Sequence, residues 1–457
     1  MIDSLPRRVH MVGVGGAGMS ALAKILLGRG HSVTGSDLRG GEVLRLLADI
    51  GIEVWEGHRP NRMAGVDLVV ASSAVPEADP ELQAARGSGV EVWRRPRLLE
   101  VLTASIPTIG PTGTHGKTTT TAMMVWALRA AGVDPSFVVG GEMVGFATNA
   151  HLGEDDLLVL EVDEAFGTFE HVSLQGLVVT NVESDHLDHF HTVERMEESF
   201  VRVAGSVAGP VLACSDDPGA ARVAERVATL TYGTNPSATW RIEDFWADSG
   251  RSRFTLRGPG GTVGVTVPRL GMHIVRNAAG ALALLSTLGY DLDLTAPGLE
   301  NFAGVRRRFE SKGVVAGVRI VDDYAHHPTE VAATLREAAQ LGARRVWAVF
   351  QPHLYSRTRD LYDEFGLALS AADGIVVTDV YGSREAPLPG ITGRLVEEAA
   401  RRAGAASVHY VPHRSDVADR LVELIEPGDL VVTMGAGDIT LVASELAAAL
   451  SGRKVVG

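Results

Sequence analysis

Short apolar runs, each closed by glycine or by a polar cluster, recur along this chain and alternate with stretches of helical period. The runs Arg7–Val14, Ser32–Ser36, Asp67–Ala71 and Val90–Val92 predict strands, with helices over Met19–Gly28 and Arg97–Leu102. This first α/β unit ends near Thr103–Pro107. A second opens with a strand at Ile106–Ile109 and a helix over Ala122–Ala131. It continues through a Gly140-Gly141 turn, the buried-type strands Leu157–Leu160, Gly176–Thr180 and Pro210–Ala213, and an amphipathic helix over Thr192–Val207. From Trp240 to Pro268 short alternating runs around Gly-Pro-Gly-Gly predict an antiparallel hairpin, and helix returns over Gly271–Leu288. Phe302–Glu310 reads as a short basic linker. Beyond it, strands Arg319–Val321, Arg345–Phe350, Gly374–Thr378 and Asp429–Thr433 alternate with helices beginning near Thr329, Arg359, Ile391 and Asp416.

The polar clusters that close these runs carry the chemistry. Thr112-Gly113-Thr114-His115-Gly116-Lys117-Thr118-Thr119-Thr120-Thr121 stands between a strand and a helix, the layout of a phosphate-binding loop. Loop amides and the helix N-terminus attract phosphate, Lys117 reaches the β- and γ-phosphates, and the Thr118 hydroxyl is placed for Mg²⁺. Pro111 replaces the first glycine of the strict motif. A plain glycine turn before an ordinary helix would explain the glycines but not the threonines, which cost roughly 2 kcal/mol relative to alanine, so their hydroxyls are expected to be used. Gly13-Val14-Gly15-Gly16-Ala17-Gly18 fits G-x-G-x-x-G, with Asp37 at the end of the next strand, and points to a diphosphate at a helix N-terminus without saying whose. Ser72-Ser73-Ala74 falls at the same sheet edge, as turn chemistry or as a ligand contact. Glu161 and the Asp185-His186 cluster follow two strands of the second unit and suit Mg-nucleotide chemistry. His273 and Asn277, four apart on one helix face, fit either a ligand contact or a buried cap. In the third unit Asp322-Asp323, His326-His327, His353 and Arg357 again follow strand ends.

Composition narrows the partners. With 42 basic and 56 acidic residues the net charge is −14, which argues against non-specific binding to nucleic acid or membrane surfaces. Anionic ligands must be held by local devices. The single Cys214 rules out an intramolecular disulfide and fits a reducing compartment. With no signal-like N-terminus and no long apolar segment, the expected location is cytoplasmic, without membrane insertion. A length of 457 residues suggests about three domains. The expected fold is α/β throughout, with a Rossmann-like domain over 1–104, a P-loop-type ATPase domain carrying the small antiparallel region over 105–302, and a second Rossmann-like domain over 303–457. Homo-oligomerisation is left open.

Taken together the motifs resemble the ATP-dependent Mur ligases. The matching segments are Gly-x-Gly-Gly-x-Gly-Met at 13–19, Ser72-Ser73-Ala74, the loop 112–120, Asn-x-Glu-x-Asp-His-x-Asp at 181–188, Arg307-Arg308-Phe309, Asp-Asp-Tyr-Ala-His-His-Pro-Thr-Glu at 322–330, Gln-Pro-His-x-Tyr-Ser-Arg at 351–357 and Gly-Ala-Gly-Asp at 435–438, in family order. The resemblance implies that the first domain holds the UDP of a UDP-sugar, through Gly15, Gly16, Ala17, Gly18, Met19, Asp37, Ser72, Ser73 and Ala74. It implies ATP and Mg²⁺ as cofactors: Gly113 to Thr119, Asn277, Arg308 and Asp323 contact the nucleotide, while Thr118, Glu161 and His186 hold magnesium. His326, His353 and Arg357 would line the amino-acid and acyl-phosphate site, with Lys117 and His186 also catalytic. The implied reaction joins L-alanine to the lactyl carboxylate of UDP-N-acetylmuramate; addition of another amino acid or a peptide is the alternative. Three positions depart from the family pattern. A Ser-Asp pair is missing after Glu164, Leu354 replaces an arginine, and Ile274 replaces the asparagine beside His273.

Overall fold

The computed structural model describes residues 5–452 apart from 186 and 384, and leaves aside the side chains of 166, 187 and 188. The expected metal ligand His186 therefore lies outside the described residues. The chain divides into two compact units, the first built on a five- and a ten-stranded sheet, the second on a six-stranded sheet. Each expected strand is present, with its ends shifted by a few residues.

In the five-stranded sheet Glu53–Glu56, Ser32–Asp37, Arg8–Val12, Leu68–Ala71 and Glu91–Arg94 lie side by side, all parallel. The connection order reverses between Arg8–Val12 and Leu68–Ala71, and a crevice for a ligand forms at such a switch point. Gly13–Gly18 and Ser72-Ser73-Ala74 follow those two strands.

The ten-stranded sheet runs Gly261–Val267, Arg251–Gly258, Trp240–Asp248, Leu230–Gly233, Val211–Cys214, Gly176–Val179, Thr108–Thr112, Asp155–Leu160, Pro135–Met143, Thr148–His151. The region expected as an antiparallel hairpin attached to this unit is an antiparallel pair, Arg251–Gly258 with Gly261–Val267, and with Trp240–Asp248 it continues the sheet as three strands. Strand Thr108–Thr112 runs through Pro111, whose carbonyl still accepts from the Val162 amide at 3.1 Å. Gly140-Gly141 is no turn, since both lie inside Pro135–Met143, which pairs antiparallel with Thr148–His151 across an irregular register between Val138 and Met143. A glycine pair in a strand marks a close approach as readily as a turn, and here the Gly140 amide meets a carboxylate. The loop helix starts at Lys117 and so takes in the threonines.

In the six-stranded sheet, Glu310–Val315 is antiparallel to Val318–Asp323, and the remaining strands Leu430–Met434, Val346–Phe350, Gly374–Val377 and Val408–Tyr410 are parallel. Successive residues supply opposite faces. Val432, Ala348, Phe350 and Ile375 join one core cluster, and Val431, Trp347, Val349 and Val376 the other. The segment expected as a linker groups with this unit from Gly304 onward. Among the described residues no helix is long and apolar enough to cross a bilayer.

The first sheet buries one charged network. Glu81 is fully buried and accepts from Trp55 Nε1 at 3.0 Å, the Arg59 amide at 2.8 Å and the Ser36 hydroxyl, with His10 Nε2 at 3.6 Å. Burial alone would raise this carboxyl, but His10, Ser36 and the Arg59 amide outweigh it and bring the pKa down to about 2. A carboxyl lowered by folding stabilises the native state above its unfolded value of 4.5, and the contribution is lost as pH falls from there toward about 2. Discounted for screening, the effect is about 2 kcal/mol. Glu81→Gln is expected to lower stability by that amount at pH 7, with the difference from wild type shrinking below pH 4.5 in a denaturant series. A difference independent of pH would contradict the assignment.

Candidate active site

Three adjacent parallel strands of the ten-stranded sheet end at one edge, and each delivers a polar group. Thr108–Thr112 leads into Gly113-Thr114-His115-Gly116 and the first turn of helix Lys117–Ala130. At Gly113 the backbone has φ 136°, and a Cβ would stand 2.2 Å from Thr180 Oγ1 and 2.7 Å from the Asn181 carbonyl oxygen. Only glycine fits there. The loop is tied to the next strand end. Asn181 Oδ1 accepts from the His115 amide at 2.7 Å, and the His115 carbonyl accepts from Asn181 Nδ2 at 3.0 Å and from the Thr180 hydroxyl at 2.7 Å. The Thr114 hydroxyl accepts from the Glu183 amide at 2.8 Å. Asn277 Oδ1 lies 2.7 Å from the place a Gly116 Cβ would take, so Asn277 abuts the loop, whereas His273 faces Glu337 at 3.6 Å.

The charges sit on the loop floor. Lys117 Nζ donates to the Gly113 carbonyl at 2.7 Å and pairs with Glu164 at 2.7 Å and Asp163 at 3.9 Å. Burial would lower its pKa, but Glu164 and Asp163 outweigh burial and hold it above the ordinary lysine value. Lys117 is therefore charged at neutral pH. The Thr118 hydroxyl donates to Glu161 Oε1 at 3.0 Å, and Glu161 Oε2 accepts from the Gly140 amide at 2.6 Å. A hydroxyl and a carboxylate so placed are hard oxygen donors of the kind Mg²⁺ takes beside phosphates. Of the other threonines, Thr121 donates to the Lys117 carbonyl at 2.9 Å, while the Thr120 hydroxyl is buried without a hydrogen bond among the described residues. The expectation of used hydroxyls holds for Thr118 and Thr121 but not for Thr120, which is fully buried.

The second glycine loop opens helix Ala17–Gly28, in which Met19 is buried. Asp37 Oδ2 accepts from the Gly15 amide at 2.9 Å and Oδ1 from the Arg39 amide at 3.1 Å, so this carboxylate braces the loop. The Ser72 Cβ lies 3.1 Å from the position of a Gly13 Cβ, and the Ser72 hydroxyl accepts from the Ala74 amide at 3.4 Å, with Ser73 between them. Sequence reasoning missed Arg95. Its guanidinium carbon lies 3.0 Å from the position of a Gly18 Cβ, at the first turn of the helix. Among the described residues it makes no hydrogen bond or ion pair, and its Nε is buried without an acceptor. Arg94 is committed instead to the Ser72 and Val75 carbonyls and to Glu77. The signal was an Arg-Arg pair at the junction of a strand and a helix.

In the second unit His353 stacks on Tyr381 at 6.0 Å, meets His326 edge-on at 5.9 Å, and has Nδ1 3.3 Å from Arg357 Nη1. His326 donates from Nδ1 to the Tyr324 carbonyl at 3.0 Å, with Glu330 at 3.2 Å. Asp323 is buried and accepts from the Phe309 amide at 2.6 Å and the Ala325 amide at 2.7 Å. Burial pushes its carboxyl up, against the opposing charge of Arg308. Arg308 lies over the Tyr324 ring at 5.0 Å and 3.7 Å from Glu330. Arg307 donates to the Gly435 and Gly437 carbonyls at 2.7 and 3.2 Å, so it clasps the last strand end.

Comparison with known proteins gives matches to the Mur ligase family catalytic domain over residues 8–106, the Mur ligase middle domain over 112–285 and the Mur ligase glutamate ligase domain over 307–437. The chain is 42% identical over 464 residues to the UDP-N-acetylmuramate–L-alanine ligase of Thermobifida fusca, covering 98% of each. It is 44% identical over 442 residues to the enzyme of that name in Salinibacter ruber, covering 95% of this chain and 93% of the relative. Among solved structures, the UDP-N-acetylmuramate-alanine ligase of Thermotoga maritima superposes with TM-score 0.83 at 27% identity, over 98% of this chain and all of the other. A murein peptide ligase of Psychrobacter arcticus follows with 0.74 at 26%, over 99% of this chain and all of the other.

Gly113→Ala is expected to lower stability by about 2–4 kcal/mol, combining a disfavoured φ with overlap against fixed backbone. It should also remove nucleotide binding by displacing the His115 amide from Asn181. Gly264→Ala, at a site with open space and no positive φ, should change stability by under about 0.5 kcal/mol. Thermal melts and nucleotide titrations of both variants check this, and a stable Gly113→Ala protein with intact binding would contradict it.

Proposed function

The chain belongs to the Mur ligase family, and from that premise we propose that it is an ATP-dependent ligase joining L-alanine to the lactyl carboxylate of UDP-N-acetylmuramate, a step of peptidoglycan precursor synthesis in the cytoplasm. The observation that carries the chemistry is the Thr118–Glu161 pair beside the buried Lys117 on a glycine loop. The substrates follow from the whole-length likeness to relatives named for them. In this reading residues 1–104 hold the UDP-sugar, 105–302 hold ATP, and 303–457 bring the amino acid.

The lactyl carboxylate attacks the γ-phosphorus of ATP, ADP leaves, and an acyl phosphate forms. The neutral amine of L-alanine then attacks the acyl carbon, and phosphate leaves. Lys117 and the loop amides offset charge on the β- and γ-phosphates, and their fixed positions supply much of the rate. Thr118, Glu161 and, by resemblance, His186 would hold Mg²⁺, which would supply further neutralisation of those phosphates. Asn277, Arg308 and Asp323 contact the nucleotide. Arg357 takes the amino-acid carboxylate, with His353 against it. His326, whose Nδ1–H donates a hydrogen bond to the Tyr324 carbonyl, is the imidazole assigned to accept the amine proton. Gly15 to Met19 and Arg95 bind the diphosphate, with Asp37 and Ser72 to Ala74 shaping that site.

Phosphate release from ATP and Mg²⁺ is expected only when UDP-N-acetylmuramate and L-alanine are both present. Faster turnover with another amino acid or a peptide in a substrate panel would move the chain to a different ligase of the family. Lys117→Ala should lower kcat at least about 1,000-fold while UDP-N-acetylmuramate still binds, and near-normal turnover would sink the assignment. Loss of a charge-assisted contact in Arg95→Ala should raise the KM for the UDP-sugar on the order of tenfold and leave that for ATP unchanged.

A further inference from the structure

We propose that the antiparallel pair Pro135–Met143 and Thr148–His151 couples the two glycine-loop sites of the first unit, and that Lys24 and Asn149 are the positioning residues of this coupling. The inference rests on the function proposed above and adds a linkage between its two nucleotide ligands.

The pair grips the helix that opens on the Gly13–Gly18 loop. Ala17 and Lys24 are seven residues apart and share one face of that helix. Asn149 Nδ2 donates to the Ala17 carbonyl at 2.9 Å, in the first helical turn. Lys24 Nζ donates to Asn149 Oδ1 at 2.9 Å and to the Thr148 hydroxyl at 3.1 Å. Each polar atom of the Asn149 amide is thus fixed from the helix side. Burial lowers the Lys24 pKa, with Glu142 of the same strand pair opposing it. A half-buried polar contact of this kind, made at three points, holds one geometry where apolar packing would tolerate several.

The other side of the pair holds the Glu161 carboxylate. Ala150, next to Asn149, pairs with Val138, and Val138 pairs with Leu160. The Val138 carbonyl accepts from the Glu161 amide at 3.0 Å, and two residues on, the Gly140 amide holds Glu161 Oε2. The remaining oxygen of Glu161 takes the Thr118 hydroxyl. From the Ala17 carbonyl to Thr118 every link is a hydrogen bond, a strand pairing or a step of one or two residues along the chain. A diphosphate that draws on the first turn of helix Ala17–Gly28 therefore bears on the geometry of Glu161, and a nucleotide at Thr118 bears in return on Ala17. Linkage requires the two effects to be equal.

Calorimetric titration of UDP-N-acetylmuramate into the full chain, with and without Mg²⁺ and a non-hydrolysable ATP analogue, tests this. In wild type the analogue should tighten the UDP-sugar by about 5- to 150-fold, the ordinary range of coupling between sites. In Asn149→Ala and in Lys24→Met the factor should fall below about twofold, while the analogue alone binds within about threefold of wild type. Lys24→Arg, which keeps the donors, should restore most of it. Melting curves ensure that the factors are compared between folded proteins, and Lys24→Met serves if Asn149→Ala does not fold. A wild-type factor near one, or an unchanged factor in both variants, would overturn the inference alone. Failure of wild type to bind the UDP-sugar would overturn the proposed function as well.

Discussion

A strand buried on both faces can end in a carboxylate only where donors meet it, and at Glu161 they come from two directions. Leu157 to Leu160 are all buried and Glu161 itself is half-buried, so the charge that follows is only partly in water. The Gly140 amide approaches from the neighbouring strand and the Thr118 hydroxyl from the helix. A half-buried carboxylate without those donors would be destabilising. The same demand governs Lys117, whose ammonium is buried and set against Glu164 and Asp163. Removing one partner of such a cluster strands the other charge, which costs more than the pair contributes. The phosphate loop thus keeps its shape because opposite charges and backbone donors answer one another across three strand ends.

Much of this was legible in the sequence. Strands covered on both faces are continuous apolar runs, so their number and order could be read directly, and the loops follow from glycine spacing. The strand pair Pro135–His151 could not be read in this way. Gly140-Gly141 carries the same local signal whether the chain turns or a carboxylate approaches the backbone, and only the position of Glu161 decides between them. Arg95 escaped for a related reason. It stands beside Arg94, and nothing in the sequence shows that one guanidinium is spent on carbonyls and Glu77 while the other faces the first turn of a helix. The basic segment Phe302–Glu310 suggested a linker, whereas Arg307 is used to clasp two glycine carbonyls.

A net charge of −14 sets a condition on how anions can be held. Long-range attraction is absent, so the favourable potential must be built within a few ångströms. Both glycine loops open directly onto helices of more than three turns, Ala17–Gly28 and Lys117–Ala130, whose first amides point at the loop. Each adds one cation, Arg95 or Lys117. The two differ in how that cation is kept. Lys117 is neutralised in place by carboxylates and can be fixed at depth, while Arg95 has no counter-charge among the described residues and stays partly exposed.

In the second unit the backbone itself is strained where the histidines and arginines gather. Arg307, Phe309 and Leu354 have φ of 59°, 49° and 68°, values that cost about 1–3 kcal/mol each for residues other than glycine. Neighbours hold each in place. The Arg307 amide donates to Glu310, the Phe309 amide to Asp323, and the Leu354 amide to the Tyr381 carbonyl. At Leu354 the reversal lies between His353, bridged to Tyr381, and helix Tyr355–Leu369, and it brings His353 and Arg357 to 3.3 Å. Glycine would adopt that backbone without strain but would anchor nothing. Leucine buries its side chain to 4% exposure, and this packing offsets the strain. Where the family usually carries an arginine, this chain therefore gives up a guanidinium and gains a hydrophobic anchor for the turn. In the proposed reaction the charge that would face the amino-acid carboxylate is Arg357, whose place that same turn fixes.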